Sequence, residues 1–270
     1  MQSPQSNEEL ARQRAIEIAS EYFPIASEAI EPLVERIQTF RVQAQSALAG
    51  DDVASRTDAV SHQARSLLSV GVDHVKTLSA VMLEGGIIPA FAGFTLIRSA
   101  LECAGVALWL LGPPDSDLRV LRAIQLSRES LNDSRRLAAT SQGTKYRGLA
   151  PDDEYLQRFE QMRDSRPANA GKSLVAPSIT DRLDAAEFFV TKHSPEQETL
   201  LTLWQRTSGL AHGRRHAIWQ NSEARPHSAD HVGFQVMVRA DLVALTAHFE
   251  SSTRYLDDGV ALLELRGSTS

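Results

Sequence analysis

The sequence predicts an all-α protein, a multi-helix bundle of long antiparallel helices with no sheet. Two observations carry this. Apolar residues recur at three- and four-residue spacing along most of the 270 residues, the period of helices with one buried face. No run alternates apolar and polar residues convincingly enough to read as a strand.

Residues 7–49 read as two helices hinged at Pro24, because proline removes a backbone donor and crowds the preceding turn. In the second of them Ile30, Leu33, Val34 and Ile37 share a face, away from Glu31, Glu35 and Arg36. Gly50-Asp51-Asp52 is expected to stop that helix and cap the next, whose apolar set runs from Val53 through Leu68 and Val75 to about Leu83. A short turn between long helices implies an antiparallel hairpin. Ile87 to Leu111 is almost uncharged and long enough to span a bilayer, but Arg98 and Glu102 stand in its middle, so it reads as a buried core helix ended by Gly112-Pro113-Pro114. An amphipathic helix follows from Asp115 to about Ala139, then a short one from Asp152 to Asp164. Ser165 to Pro177 reads as a loop and an internal boundary. After a helix from Thr180 to Val190, Ser194-Pro195-Glu196-Gln197 has the cap, proline and glutamine of a helix start, and that helix stops at Gly213. A last helix is expected from His231 to Leu256. The domain reading is a helical hairpin or extension over residues 1–50, a bundle over 51–258 and a flexible tail over 259–270.

The net charge is −6 and 42% of residues are hydrophobic, an ordinary globular composition that excludes disordered, collagen-like and disulfide-scaffold proteins. The single Cys103 permits no internal disulfide, which points to a reducing compartment. With a polar, acidic start, MQSPQSNEEL, the expected location is the cytoplasm, away from membranes. The charge is uneven: residues 119–147 hold seven basic and two acidic side chains, and residues 206–225 four arginines and one acid. Both stretches suit an anionic ligand such as RNA phosphates.

Several motifs fail. Gly171-Lys172-Ser173 resembles the end of a phosphate-binding loop, but Arg166 stands where its first glycine belongs. His212 with His216, and His227 with His231, have helical metal-ligand spacing, yet Arg214 and Arg215 lie between the first two and would repel a cation. No metal and no cofactor is therefore expected. Trp109, Trp204 and Trp219 read as packing anchors.

The stretch that can carry chemistry is Trp204 to Gly213. Arg206 and His212 are six residues apart, about 120° around a helix and about 9 Å along it, so they can border one cleft. The carbonyl end of the helix favours a cation near His212. A guanidinium beside an imidazole suits a phosphodiester: arginine holds the phosphate oxygens, histidine moves a proton, and the RNA 2′-hydroxyl serves as nucleophile without a metal.

An all-α chain with Arg and His separated by five residues near the end of a late helix resembles the HEPN superfamily of metal-independent ribonucleases and their inactive relatives. The helix Leu96 to Glu102, followed by Ser208 to Gly213, is also similar to uncharacterised bacterial helical proteins grouped near that superfamily. The resemblance implies Arg206 and His212 as the catalytic pair, a homodimer, and a toxin or defence role with an antitoxin or other protein partner. Arg98, Glu102, Thr207, Ser208, Arg214, Arg215 and His216 would then support the pair or bind substrate. Two rivals stay open: a non-catalytic helical ligand-binding or protein-interaction module, in which Arg98 and Glu102 form an internal salt bridge, and a metal enzyme built on His212, His216, His227 and His231.

Overall fold

The computed structural model describes residues 4–140, 152–190, 198–229 and 234–269. In chain order these form α1 (Pro4–Ser27), α2 (Ile30–Thr39), α3 (Ala47–Ala54), α4 (Val60–Leu83), α5 (Ala92–Leu111), α6 (Ser116–Thr140), α7 (Asp152–Asp164), α8 (Ile179–Ala186), α9 (Leu200–Ala211), α10 (Arg215–Asn221), β1 (Ser222–Ala229), β2 (Phe234–Ala240) and α11 (Leu242–Gly267). The all-α class stands.

The expectation of no sheet is corrected by one antiparallel hairpin, in which Ser222 faces Ala240 and Ala229 faces Phe234. In β2, Phe234, Val236 and Val238 alternate with Gln235, Met237 and Arg239, a short β-favouring run inside the span expected for the last helix. Pro226 is tolerated because each strand of a two-stranded ribbon is an edge, and the ladder is irregular between Pro226 and Ser228. The last helix therefore starts at Leu242, where the Asp241 carboxylate accepts the Ala244 N–H at 3.0 Å. It also outlasts its expected end, since residues 259–267, assigned to a flexible tail, are helical and bury Leu263.

Other boundaries move for local reasons. Pro24 lies in the last turn of α1 without ending it, so the break falls at residues 28–29. Gly50, Asp51 and Asp52 lie inside α3 rather than in a turn, and Ser46 caps that helix by accepting the Ala49 N–H at 3.2 Å. Residues 87–91 stay outside α5, where Pro89 restricts its predecessor. The expected start at Ser194 to Gln197 lies outside the described residues. There α9 begins with Thr199 as its cap, accepting the Thr202 N–H at 3.3 Å.

The chain divides into two compact units, with breaks inside α4, α5 and α11 rather than at residue 50 or in the 165–177 loop. One unit comprises residues 1–39, 68–105 and 190–260. Its core joins Phe23 to Phe249 at 4.6 Å between ring centroids, with Leu33, Val72, Phe94, Ile97, Leu203 and Leu245 buried. At Gly71 the helices approach closely: a Cβ there would lie 2.6 Å from Leu256 and 3.2 Å from Cys103. Burial raises the Cys103 thiol to about 11, which makes it a poor nucleophile.

The second unit comprises residues 40–67, 106–189 and 261–270. Val120, Leu121, Ile124, Phe159 and Leu174 form one cluster in it. At its centre Asp51, fully buried, accepts the Arg119 Nε–H at 2.6 Å and the Ser116 hydroxyl at 2.5 Å. Arg119 also donates to the carbonyls of Pro113 and Pro114. The 165–177 segment is anchored within this unit: Asn169 is buried and donates to the Asp117 carbonyl at 2.6 Å, and Gln125 donates to that of Ser173.

Two of the arginines counted as a basic stretch are spoken for inside this unit. Arg119 is buried, and Arg122 donates to the Trp109 carbonyl with its guanidinium 4.7 Å from the indole centroid. Burial lowers Arg122 to about 10. Residues 141–147 of that stretch lie outside the described residues. The helices 60–83 and 92–111 are both long and apolar enough to cross a membrane, and two-thirds of the apolar window of the second is buried in protein, as a core helix requires.

Candidate functional site

The candidate site is the end of α9 and the turn into α10, within the first unit. Leu200, Leu203, Thr207 and Leu210 bury one face of α9, while Gln205 and Arg206 lie on the exposed side. The helix ends in a two-bond cap. The Gly213 N–H reaches the Leu210 carbonyl at 3.0 Å and the Arg214 N–H reaches that of Gly209 at 2.9 Å, the pairing of a Schellman motif. Gly213 takes φ of +63°, which glycine adopts without penalty. The stop expected at Gly213 is thus realised. Gly213→Ala is expected to destabilise the chain by about 1 kcal/mol through strain at that φ, read as a lower urea midpoint.

The glycine at 209 lets α10 return against α9, since a Cβ there would lie 2.7 Å from the Cβ of Ala217. Consequently His212, Arg214, Arg215 and His216 are all exposed around one short turn. His212 is the C-terminal cap residue of α9, and its imidazole has no hydrogen bond or ion pair among the described residues. Arg214 and Arg215 likewise have no ion-pair partner there.

Arg206 does not pair with His212. Its guanidinium meets Glu198 Oε1 at 2.5 Å, both side chains remaining partly exposed. Thr207, expected to support the site, is buried and returns its hydroxyl to the carbonyls of Leu203 at 2.8 Å and Trp204 at 3.1 Å, so it serves the helix. Ser208 is half-buried, and its carbonyl accepts the His212 N–H at 3.1 Å.

Arg98 and Glu102 form the internal salt bridge that their spacing allows, at 2.9 Å. Trp204 completes it: its indole N–H donates to the same Glu102 oxygen at 2.9 Å, and the Arg98 guanidinium stacks 5.2 Å from the ring centroid. The three join α5 to α9, although the Arg98 Nε is buried with no hydrogen-bond partner. Trp109 is a core anchor as expected, Trp204 a half-buried polar one, and Trp219 is half exposed.

Two residues at the site leave almost no signal in the sequence. Glu198 precedes the cap of α9 and gives no periodic signal. His248 is the one histidine in the apolar run LVALTAHFE, a bare hint. It is buried, edge-on to Phe94 at 5.8 Å, and its Nδ1–H donates to the Ala244 carbonyl at 2.6 Å, leaving Nε2 buried with no partner. Burial holds its pKa below the usual 6.5, against raising contributions from the Ala244 carbonyl and the Glu198 charge. The folded imidazole thus stays neutral where the unfolded one takes a proton. Its contribution is complete above about pH 6.5 and declines as pH falls from there towards the folded value. His248→Leu is expected to flatten the acid-side fall in stability, measured as urea midpoints at about pH 7.5 and 5.5.

Among the described residues no three His, Cys, Asp or Glu side chains converge as a metal site would require. His231 lies outside them, and for His227 the description stops at its backbone in β1. In the phosphate-loop lookalike, the Gly171 N–H donates to the Asp164 carboxylate at 3.1 Å. The hydrogen-bonded Arg163 guanidinium, helped by that bond, holds the Asp164 pKa down at about 2.

What the α9 turn defines chemically is a cationic surface with two exposed imidazoles, those of His212 and His216. Compared with known proteins, the chain matches no family model, no curated sequence and no solved structure.

Proposed function

We propose that the chain is a cytoplasmic, metal-independent endoribonuclease of HEPN type, working in a toxin or defence setting with RNA as substrate and an antitoxin or other protein as partner. The supporting observation is the exposed, unbonded His212 imidazole on a turn shared with Arg214, Arg215 and His216. Arg206 is the phosphate ligand. Its guanidinium exchanges the Glu198 carboxylate for phosphate oxygens, which have the same fork geometry. His212 moves the proton as the 2′-oxygen bonds to phosphorus and the bond from phosphorus to the 5′-oxygen breaks. The biological setting follows from the resemblance alone.

Purified protein is expected to cleave single-stranded RNA in excess EDTA. Intact RNA after prolonged incubation at high enzyme concentration contradicts the proposal. A second reading, a non-catalytic ligand-binding or protein-interaction module, is favoured by the closed Arg206–Glu198 pair and by Arg98 and Trp204 both pairing with Glu102. It predicts RNA or protein binding without strand scission.

A further inference from the structure

Trp219 stands on α10, just past the cationic turn, and is 50% exposed. Tryptophan is mostly buried in folded chains, so an indole half in water leaves a large apolar ring uncovered. The rings of the other two tryptophans are covered by the chain's own arginines, Trp109 by Arg122 and Arg182 and Trp204 by Arg98. Among the described residues no guanidinium lies over Trp219, and its indole N–H makes no hydrogen bond.

The ring shares a helix face with two of the cations. Taking Arg215 as zero and about 100° per residue, Trp219 falls at about 40° and His216 at about 100°. Ala217, which is buried and packs where Gly209 leaves room on α9, falls at about 200°, on the far side of the helix. Trp219 is about 6 Å along the axis from Arg215 and about 4.5 Å from His216. From Thr199 to Ser222 the chain has no acidic residue, and it holds three arginines and two histidines.

We propose that Trp219 is a stacking platform for one unpaired base of a single-stranded RNA whose phosphates lie along Arg215 and His216. The inference rests on the reading of this turn as an RNA site and adds to it the feature that selects the form of the substrate. Every base has a flat aromatic face, so stacking tolerates any sequence, but a base inside a duplex has its faces covered by its neighbours. Tryptophan and arginine also mark protein interfaces. The acid-free cationic segment beside the ring favours a polyanion.

The test is filter retention, by the full chain in EDTA and over a series of salt concentrations, of two strands of about 12 nucleotides, within the length that single-strand sites occupy. One is an oligomer of 2′-deoxyadenosine, the other an abasic 2′-deoxyribose phosphate strand. Neither has the 2′-hydroxyl nucleophile, so both stay intact, and stacking does not need that group. Wild type is expected to hold the base-bearing strand about 5- to 150-fold more tightly than the abasic one. Trp219→Ala, with its helical circular dichroism unchanged, is expected to lose that preference while keeping the abasic affinity, and Trp219→Phe to retain most of it. Arg215→Ala is expected to weaken both strands alike and to lower the salt slope by about 1. A wild type that binds neither strand, or both equally, overturns the proposal. So does Trp219→Ala with unchanged preference, the result expected if the indole docks on a protein instead. Base-dependent retention without cleavage of unmodified RNA overturns the ribonuclease reading and leaves the stacking site standing, whereas cleavage without a base preference overturns the stacking site alone.

Discussion

Asp51→Ala is expected to lower the stability of the chain by roughly 3–5 kcal/mol, since removing one member of a buried ion pair strands the other. Arg119, 1% exposed, would lose the carboxylate it pairs with while keeping the Pro113 and Pro114 carbonyls, which carry no compensating charge. The Ser116 hydroxyl would lose its acceptor at the same time. At about 2–4 °C per kcal/mol for a chain of this size, the melting temperature should fall by roughly 6–20 °C. Arg119→Met should cost a similar amount. The double variant should cost clearly less than the sum, because the two residues are in direct contact. Thermal melts of the four proteins check this, and a loss below about 1 kcal/mol in Asp51→Ala would show that the pair contributes no more than an exposed one.

That network marks what the sequence could and could not disclose. The helices of α2, α4, α5, α6 and α9 are legible because burial of one face writes a local period into the chain. The Arg98–Glu102 bridge is legible because its partners are four residues apart. Asp51 reads locally as a turn residue after Gly50. Only Arg119, 68 positions away, explains a buried carboxylate inside a helix. Trp204 as the third member of the Arg98 and Glu102 cluster is a contact across 102 positions, equally invisible to any window. The hairpin was missed for a related reason: β2 is seven residues long, and its pairing with β1 rather than its own pattern makes it a strand. The segment after α7 looks like a linker by composition, yet the side chain of Asn169 fastens it to α6.

At the candidate site the division is the same. The stop at Gly213 was readable, and with it the exposed turn that presents His212. The partner of Arg206 was not, because Glu198 lies before the helix begins. The burial of Thr207 follows from the face it occupies beside Leu203 and Leu210, and that face was visible only in outline from the spacing of leucines.

His212→Ala carries the second large effect. A positioned side chain that transfers a proton in the rate-limiting step contributes about 10²- to 10⁴-fold, and the loss of RNA cleavage should be of that size. Because His212 is exposed and caps α9 through its backbone, the substitution should leave the fold intact, and a melting temperature close to wild type checks that. Arg206→Ala is expected to weaken substrate binding and cleavage together. Glu198→Gln, which frees the guanidinium from its carboxylate, should tighten RNA binding, read by filter retention at fixed salt.

The central claim is that His212 and Arg206 carry out metal-free phosphodiester transfer by the RNA 2′-hydroxyl, and the product ends test it most directly. End-labelled single-stranded RNA is incubated with wild type and His212→Ala in EDTA, and the new termini are identified. Wild type is expected to leave 2′,3′-cyclic phosphate and 5′-hydroxyl ends, and the variant almost none. Equal cleavage by both proteins, 5′-phosphate products, or no cleavage by wild type would contradict it.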